Sequence, residues 1–266
     1  MAGVAGSSRF GRNKSSRLQN GHRSGTFLSS MSGRSVAWLA RLFRVQEVVS
    51  SNLTAPTIFH SPMQQLIDQT IQTSSLLYEF QSILKPIDLS ALFTRPQPLE
   101  VELGCGDGSF LAEYARRHPE RSFIGVERLL GRIRKLERKG LRAGLTNLRG
   151  VRIESSYFVE YLLPRHSTQV LHVYFPDPWP KRKHRRHRLV NEHFPALAAQ
   201  ALAAQGIVYL RTDDADYFEQ MVSVFAGSAE FEETDTPEEL SSLATDFEKD
   251  FLARGIQTRR AAYRKR

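Results

Sequence analysis

The sequence predicts an α/β fold, a mostly parallel sheet with helices on both faces. Three observations carry that reading. From residue 99 onward, short apolar runs alternate with longer helix-like stretches. The first run ends in a glycine-rich loop that opens the next helix, the place where such sheets hold ligands. The run 170–175 is nearly all apolar, as a central parallel strand covered on both faces must be.

In chain order, the predicted strands are 99–103, 122–126, 151–154, 170–175 and 206–210. The stretches 109–117, 129–143, 157–162 and 189–204 between them predict helices, and 217–226 and 246–253 predict two more. Upstream, Leu66, Ile67, Ile71, Leu76, Leu77, Phe80, Ile83 and Leu84 suggest partly helical entry segments over residues 63–85. Residues 86–98 read as a connector, and 63–266 as one domain.

Residues 1–62 read as a disordered basic extension: their first half is rich in Ser, Gly and Arg and cannot form a core. A transit peptide is one explanation. The preferred one is a start assigned too far upstream, with Met63 the first residue, because residues 49–53 back-translate to a sequence resembling the T-arm of a transfer RNA gene.

The chain has 266 residues, long enough to bury a core, and 41% of them are hydrophobic. Its single cysteine, Cys105, excludes an internal disulfide and makes the cytoplasm the expected compartment. No apolar run approaches the roughly 18 residues of a membrane span. The net charge of +9 misleads, because residues 1–62 hold eight Lys or Arg and one acid, leaving only +2 for the rest. Local clusters say more.

The first strand runs into Glu102-Leu-Gly-Cys-Gly-Asp-Gly108. Gly104, Gly106 and Gly108 let backbone approach a ligand with no Cβ in the way. The dinucleotide fingerprint needs glycine at 109, where Ser109 stands, which argues against a nicotinamide enzyme. Glu127 ends the second strand 21 residues after Gly106, where an acid accepts hydrogen bonds from ribose hydroxyls; a solvated surface acid is the plain alternative. Glu102 is placed to meet an ammonium group, or else a backbone partner. The third strand offers Glu154, Ser155 and Ser156 toward a base.

The fourth strand ends in YFPDPWPKRKHRRHR. Pro176, Pro178 and Pro180 fix three φ angles around Asp177 and Trp179, which holds one carboxylate in place. Lys181 to Arg188 then carries six fixed charges plus His184 and His187. Such a run is often only a solvated face, but here it adjoins the presumed site, which favours phosphate binding. The tail 254–266, with six cations, is a second candidate for backbone contact, and the acid-rich 230–239 is expected to be solvated.

ELGCGDG, YFPDPWPKRKHRRHRLV, Leu210-Arg-Thr-Asp213 and Thr245-Asp-Phe-Glu248 followed by Gly255 together resemble the tRNA (guanine-N7-)-methyltransferase family, over residues 99–263. The resemblance implies a Rossmann-like fold using S-adenosylmethionine, with tRNA as partner and no metal. It implies that Glu102, Glu127 and the Glu154–Ser155 position contact the methyl donor, beside the glycine loop. It makes Asp177 the catalytic aspartate, also against the donor. Lys181, Asp213, Thr245, Asp246, Phe247 and Glu248 would contact substrate, and Lys183, His184, Arg185, Arg186, His187 and Arg188 would touch RNA. The family's target is guanine 46 of the variable loop. Asp250 stands where the family often has a cation. A monomer or homodimer is expected, with no accessory subunit evident. The competing readings are a methyltransferase acting on DNA or protein and a catalytically silent RNA-binding subunit.

Overall fold

The computed structural model describes residues 75–266, apart from the side chains of Asp246 and Phe247. The expectations for residues 1–62, and for a helical entry over 63–74, lie outside the described residues.

Among the described residues, eight strands form one sheet: β1 (Leu77–Tyr78), β2 (Leu99–Leu103), β3 (Ser122–Val126), β4 (Leu148–Val151), β5 (Thr168–Tyr174), β6 (Leu202–Thr212), β7 (Phe231–Thr234) and β8 (Arg259–Lys265). Their spatial order is β1-β4-β3-β2-β5-β6-β8-β7. The strands from β1 to β6 pair in parallel, whereas β8 runs antiparallel to both β6 and β7. The chain moves outward from β2 to β3 and β4, then returns to lay β5 on the other side of β2. That reversal is the switch point, where loops from adjacent strands diverge and leave a crevice at their carboxyl ends.

Five longer helices among the described residues flank the sheet: α1 (Ser109–Arg117), α2 (Leu130–Arg142), α3 (Phe194–Ala201), α4 (Ala215–Ala226) and α5 (Asp246–Ala253). In α2 the buried residues are Ile133, Leu136 and Gly140, a spacing that keeps one stripe against the sheet. Asp214 caps α4 by accepting from the Tyr217 N–H at 2.7 Å. Phe225 of α4 stacks on Tyr263 at 4.3 Å, across the sheet from α1, whose Phe110 packs against His172 and Tyr174. Val208, the partner of Tyr263, alternates in facing with Tyr209 and Arg211, so helices cover both faces as expected.

Three expectations need correction. The third strand is Leu148–Val151 rather than 151–154, because Ile153 and Glu154 already turn toward the next helical segment. The basic tail is not a free arm: most of it is β8, seated between β6 and β7, and its Ala261, Ala262 and Tyr263 are buried. The acid-rich segment contains β7, and its Glu232, Glu233, Glu238 and Glu239 are exposed, as expected. Within residues 75–85 the chain forms the short strand β1 instead of a helix.

Candidate active site

Four neighbouring strands end side by side in the order β3, β2, β5, β6, and each delivers functional groups to the same rim. Glu127 follows β3, the glycine loop follows β2, the Asp177 loop follows β5, and Asp213 follows β6. The register pairs Glu102 with His172 and Tyr174 with Arg211, so the loops leave at matching heights.

The glycine loop is tied to the next strand, with the Gly104 and Cys105 N–H groups donating to the Val126 carbonyl at 2.8 and 2.9 Å. Gly104, Gly106 and Gly108 have φ of 81°, 58° and 73°, a region costly for other residues. A Cβ on Gly104 or Gly106 would meet nothing within 4 Å, whereas one on Gly108 would stand 2.5 Å from Leu136 Cβ. The first two glycines thus leave room for a ligand, and Gly108 serves close packing of the loop on α2. Asp107 completes the turn, accepting from Ser109 Oγ at 2.8 Å and Lys139 Nζ at 2.8 Å. Burial works against its charge, but those hydrogen bonds prevail and hold its pKa low.

Glu102 is 4% exposed, and its Oε2 is buried with no hydrogen-bond partner among the described residues. Burial pushes its pKa up to about 8; Arg211 pulls against that shift, while Asp107 and Glu127 add to it. An unpartnered buried carboxylate beside an open backbone loop is fitted to a cationic ligand. Glu127 is also buried; its Oε1 accepts the Leu129 N–H at 2.8 Å, and Arg132 lies 4.0 Å from Oε2. Glu154 is spent as a helix cap, taking the Tyr157 N–H at 2.8 Å and the Ser156 hydroxyl at 3.1 Å, which leaves Ser155 the less engaged of the two.

Asp177 is exposed, on a loop whose Phe175 and Trp179 have φ of 49° and 44°. Positive φ at two bulky aromatics is an uncommon strain, of the kind found where a site dictates geometry. Phe175 N donates to the Arg211 carbonyl at 2.8 Å, and Trp179 sits edge-on to His184 and His187 at 5.9 and 5.4 Å. Arg188 holds the loop from below. It is 2% exposed, donating to the Pro178 carbonyl at 2.7 Å, Gln220 at 2.8 Å and Asp216 at 2.6 Å, with its guanidinium 4.6 Å from the Tyr217 ring centre. The expectation that Arg188 touches RNA is therefore corrected: every arm of its fork is used internally. Arg185 pairs with the other oxygen of Asp216 at 2.7 Å. The 3₁₀ turn Arg182–His187 presents Arg182, Lys183 and Arg186 to solvent, as Lys181 is just before it, while His184 and His187 are half-buried against Trp179.

The Thr245–Glu248 element reaches the rim through Arg211. Thr245 and Glu248 form a capping box that starts α5. Glu248 is 1% exposed and takes Arg211 at 2.8 Å, Arg260 at 2.7 Å and the Thr245 N–H at 2.9 Å. Arg211 also donates to the carbonyls of Leu243 and Leu240, and its guanidinium lies 4.1 Å from the Tyr174 ring centre. Phe251 of α5 packs on Phe175 at 5.5 Å. Thr245 and Glu248, expected to meet substrate, are thus buried and build the helix start; Asp246 and Phe247 follow directly, their side chains outside the description. Arg211 and Arg188 were missed as organisers. The signal for Arg211 was a cation ending an otherwise apolar strand.

Beneath Tyr174 lies a buried chain of polar groups. His172 Nε2 is 2.8 Å from Glu100, His172 Nδ1 is 2.8 Å from the Tyr174 hydroxyl, and Arg121 donates to Glu100 at 2.8 Å. Burial lowers the His172 pKa, so the neutral ring donates to Glu100 and accepts from Tyr174. No group of three or more potential metal ligands occurs among the described residues, nor is any described helix long and apolar enough to cross a membrane.

Residues 96–261 match the family described as putative methyltransferase. The tRNA (guanine-N(7)-)-methyltransferase of Halorhodospira halophila is 36% identical over 193 residues, 68% of this chain and 80% of that protein. The enzyme of the same name from Alkalilimnicola ehrlichii is 34% identical over 186 residues, 68% of this chain and 78% of its own. The solved structure of the 16S rRNA methyltransferase KamB aligns with a TM-score of 0.51 at 17% identity, covering 71% of this chain and 94% of that one, which supports the fold alone. With the strand-end loops in place and most of both bacterial enzymes aligned, the chain belongs to the tRNA (guanine-N(7)-)-methyltransferase family.

Proposed function

We propose that this chain transfers a methyl group from S-adenosylmethionine to N7 of a guanine in tRNA, with guanine 46 of the variable loop as the target. The observation that carries the reading is the unpartnered Glu102 oxygen beside the open Gly104–Gly106 backbone, on the same rim as Asp177. Glu102 would hold the donor's ammonium, Glu127 its ribose, and Ser155 would lie toward its adenine. When bound, S-adenosylmethionine supplies an electrophilic methyl group on a sulfonium centre.

The protein's own groups have a limited task. Guanine N7 has an in-plane lone pair and no proton, so no base is needed to create the nucleophile. Positioning then does most of the work, in favourable cases roughly 7–11 kcal/mol of barrier. Asp177 and Asp213, at the ends of adjacent strands, accept hydrogen bonds from guanine N1–H and the 2-amino group. Adenine lacks those donors on the matching edge, and each unsatisfied group costs about 1–3 kcal/mol. As positive charge moves onto the purine, the preset Asp177 carboxylate favours it. Lys181, Arg182, Lys183 and Arg186 grip the RNA backbone. The proposal includes action in the cytoplasm, as a monomer or homodimer.

The test is incubation of the purified chain with labelled donor and unmodified tRNA, followed by mapping of the modified nucleotide. N7-methylguanine in the variable loop is expected; label on another base, or none, refutes the reading. Asp177→Ala should lower turnover by about 10²–10³-fold, the cost typical of one lost electrostatic contact, while tRNA still binds. A fully active Asp177→Ala enzyme would remove Asp177 from its role.

A further inference from the structure

The outer face of α2 is cationic in a way the site described so far does not use. Residues 128–142 carry seven Lys or Arg and one acid, Glu137. That is +6, equal to the charge of residues 181–188, in a 63–266 segment whose total is only +2; the remainder is therefore −10. Cationic charge in this chain is clustered, and residues 128–142 form a cluster as strong as residues 181–188.

Two of these cations have local employment. Lys139 pairs with Asp107 at 2.8 Å, and Arg132 lies 4.0 Å from Glu127. Arg128, Arg134, Lys135, Arg138 and Arg142 are exposed and make no ion pair among the described residues. Glu137, three residues from Arg134, instead accepts the Ser75 hydroxyl at 2.6 Å. The neighbouring helix α1 is a control within the same molecule: its Arg116 and Arg117 both pair with Glu113, at 2.9 and 2.8 Å. Arg134, Arg138 and Arg142 recur every four residues, so they form one row along the helix, rising about 6 Å per step. Like charges at that spacing repel and weaken a helix. A merely solvated face has no reason to stack them.

The row is also continuous with the site. Glu127 immediately precedes Arg128, and Arg152, just past β4, reaches the Arg128 carbonyl at 3.4 Å. The patch thus starts at the rim on the β3–β4 side, while the Arg182–His187 turn lies on the β5 side of the switch point. The exposed apolar residues of this region, Leu129 and Leu141, are twelve residues apart, at opposite ends of the helix, and form no patch for a protein partner.

We propose that the row Arg134, Arg138 and Arg142, with Arg128 and Lys135, is a second phosphate track that binds the backbone of the same RNA, so that the substrate straddles the rim. This rests on the tRNA reading above.

The experiment compares the wild-type chain with Arg134→Gln/Arg138→Gln/Arg142→Gln. Unmodified tRNA binding is measured by fluorescence anisotropy across a salt series, donor binding by calorimetry, and methylation by initial rates. At three lost phosphate contacts, the slope of log affinity against log salt should fall by about 2–3 units, and affinity at low salt by roughly tenfold. KM for tRNA should rise by a similar factor with kcat and donor affinity unchanged. Arg182→Gln/Lys183→Gln/Arg186→Gln should behave alike, and the two sets should add. Wild-type salt slope and KM in the α2 variant would overturn the track while leaving the tRNA reading intact, and would turn attention to an acidic protein partner. A wild-type chain that neither binds nor methylates tRNA sinks both. Circular dichroism on these exposed positions separates misfolding from lost contact.

Discussion

Two of the buried glutamates at the rim, Glu248 and Glu102, stand in opposite conditions. Glu248 is saturated: Arg211, Arg260 and the Thr245 N–H all donate to it. Glu102 is buried nearly as deeply, yet one of its oxygens has no donor among the described residues. The saturated carboxylate holds structure together, and the unsaturated one is, in the proposed function, the group that meets the donor's ammonium. The cations repeat the contrast. Arg188 has every arm of its fork engaged, and Arg186, two residues earlier, points to water. Residue type is the same within each pair; what separates the members is whether their partners are already supplied.

Three measurements break or sharpen this comparison. The largest effect belongs to Glu248→Ala, which leaves the Arg211 guanidinium buried without its counter-charge. Stripping one partner from a buried pair costs about 3–5 kcal/mol, to be read from denaturant unfolding. A loss below 1 kcal/mol would show that Glu248 is not the structural member. Arg188→Met comes next. It keeps the stem but removes the donor to the Pro178 carbonyl, and should cost about 1–3 kcal/mol of stability. It should lower kcat more than tRNA affinity, because the Asp177 loop loses its support; equal losses in both would return Arg188 to the RNA-binding set.

The smallest effect is the dependence of donor binding on pH. Burial raises the Glu102 pKa from 4.5 to about 8, so in the empty site its carboxyl carries a proton at neutral pH. A ligand ammonium needs the ionised form. Donor affinity should therefore rise about tenfold per pH unit below pH 8 and fall above it, where the donor's own α-ammonium deprotonates, with a proton released on binding at neutral pH. The stability of the empty protein moves the other way: a raised carboxyl pKa contributes stability that falls as pH rises from 4.5 to 8. Glu102→Gln should remove both the rise in affinity and the stability trend. Calorimetry in buffers of different ionisation enthalpy reads the proton directly, and zero release at pH 7 would contradict the unpartnered state of Glu102.

The sheet's central strands and α1 were legible because their signals are local. Leu99–Leu103, Ser122–Val126 and Ser109–Arg117 follow from apolar runs and a glycine loop alone. Strand β8 was not, because Arg259-Arg-Ala-Ala-Tyr-Arg-Lys265 has little apolar content and owes its place to long-range pairing with β6. The placement of Glu127, Asp177 and Asp213 at strand ends was legible for the same reason as the strands. The assignment of Arg188 failed because burial of a cation is set by partners such as Asp216 and Gln220, far along the chain, which no run of charges reveals. The α2 row was visible as sequence, but its outward aim and lack of partners appear only in three dimensions.

The position of β8 has a consequence for how the molecule is made. Strand β8, which follows β7 in the sequence, lies inside the sheet, between β6 and β7, and carries Arg260, one of the two guanidinium partners of Glu248. During synthesis the parallel strands β2 to β6 emerge first, but β7 has no neighbour to join and Glu248 lacks its second guanidinium until β8 follows. Synthesis therefore imposes an order on maturation, with the parallel strands in place first and the start of α5 fully locked only once β8 has joined the sheet.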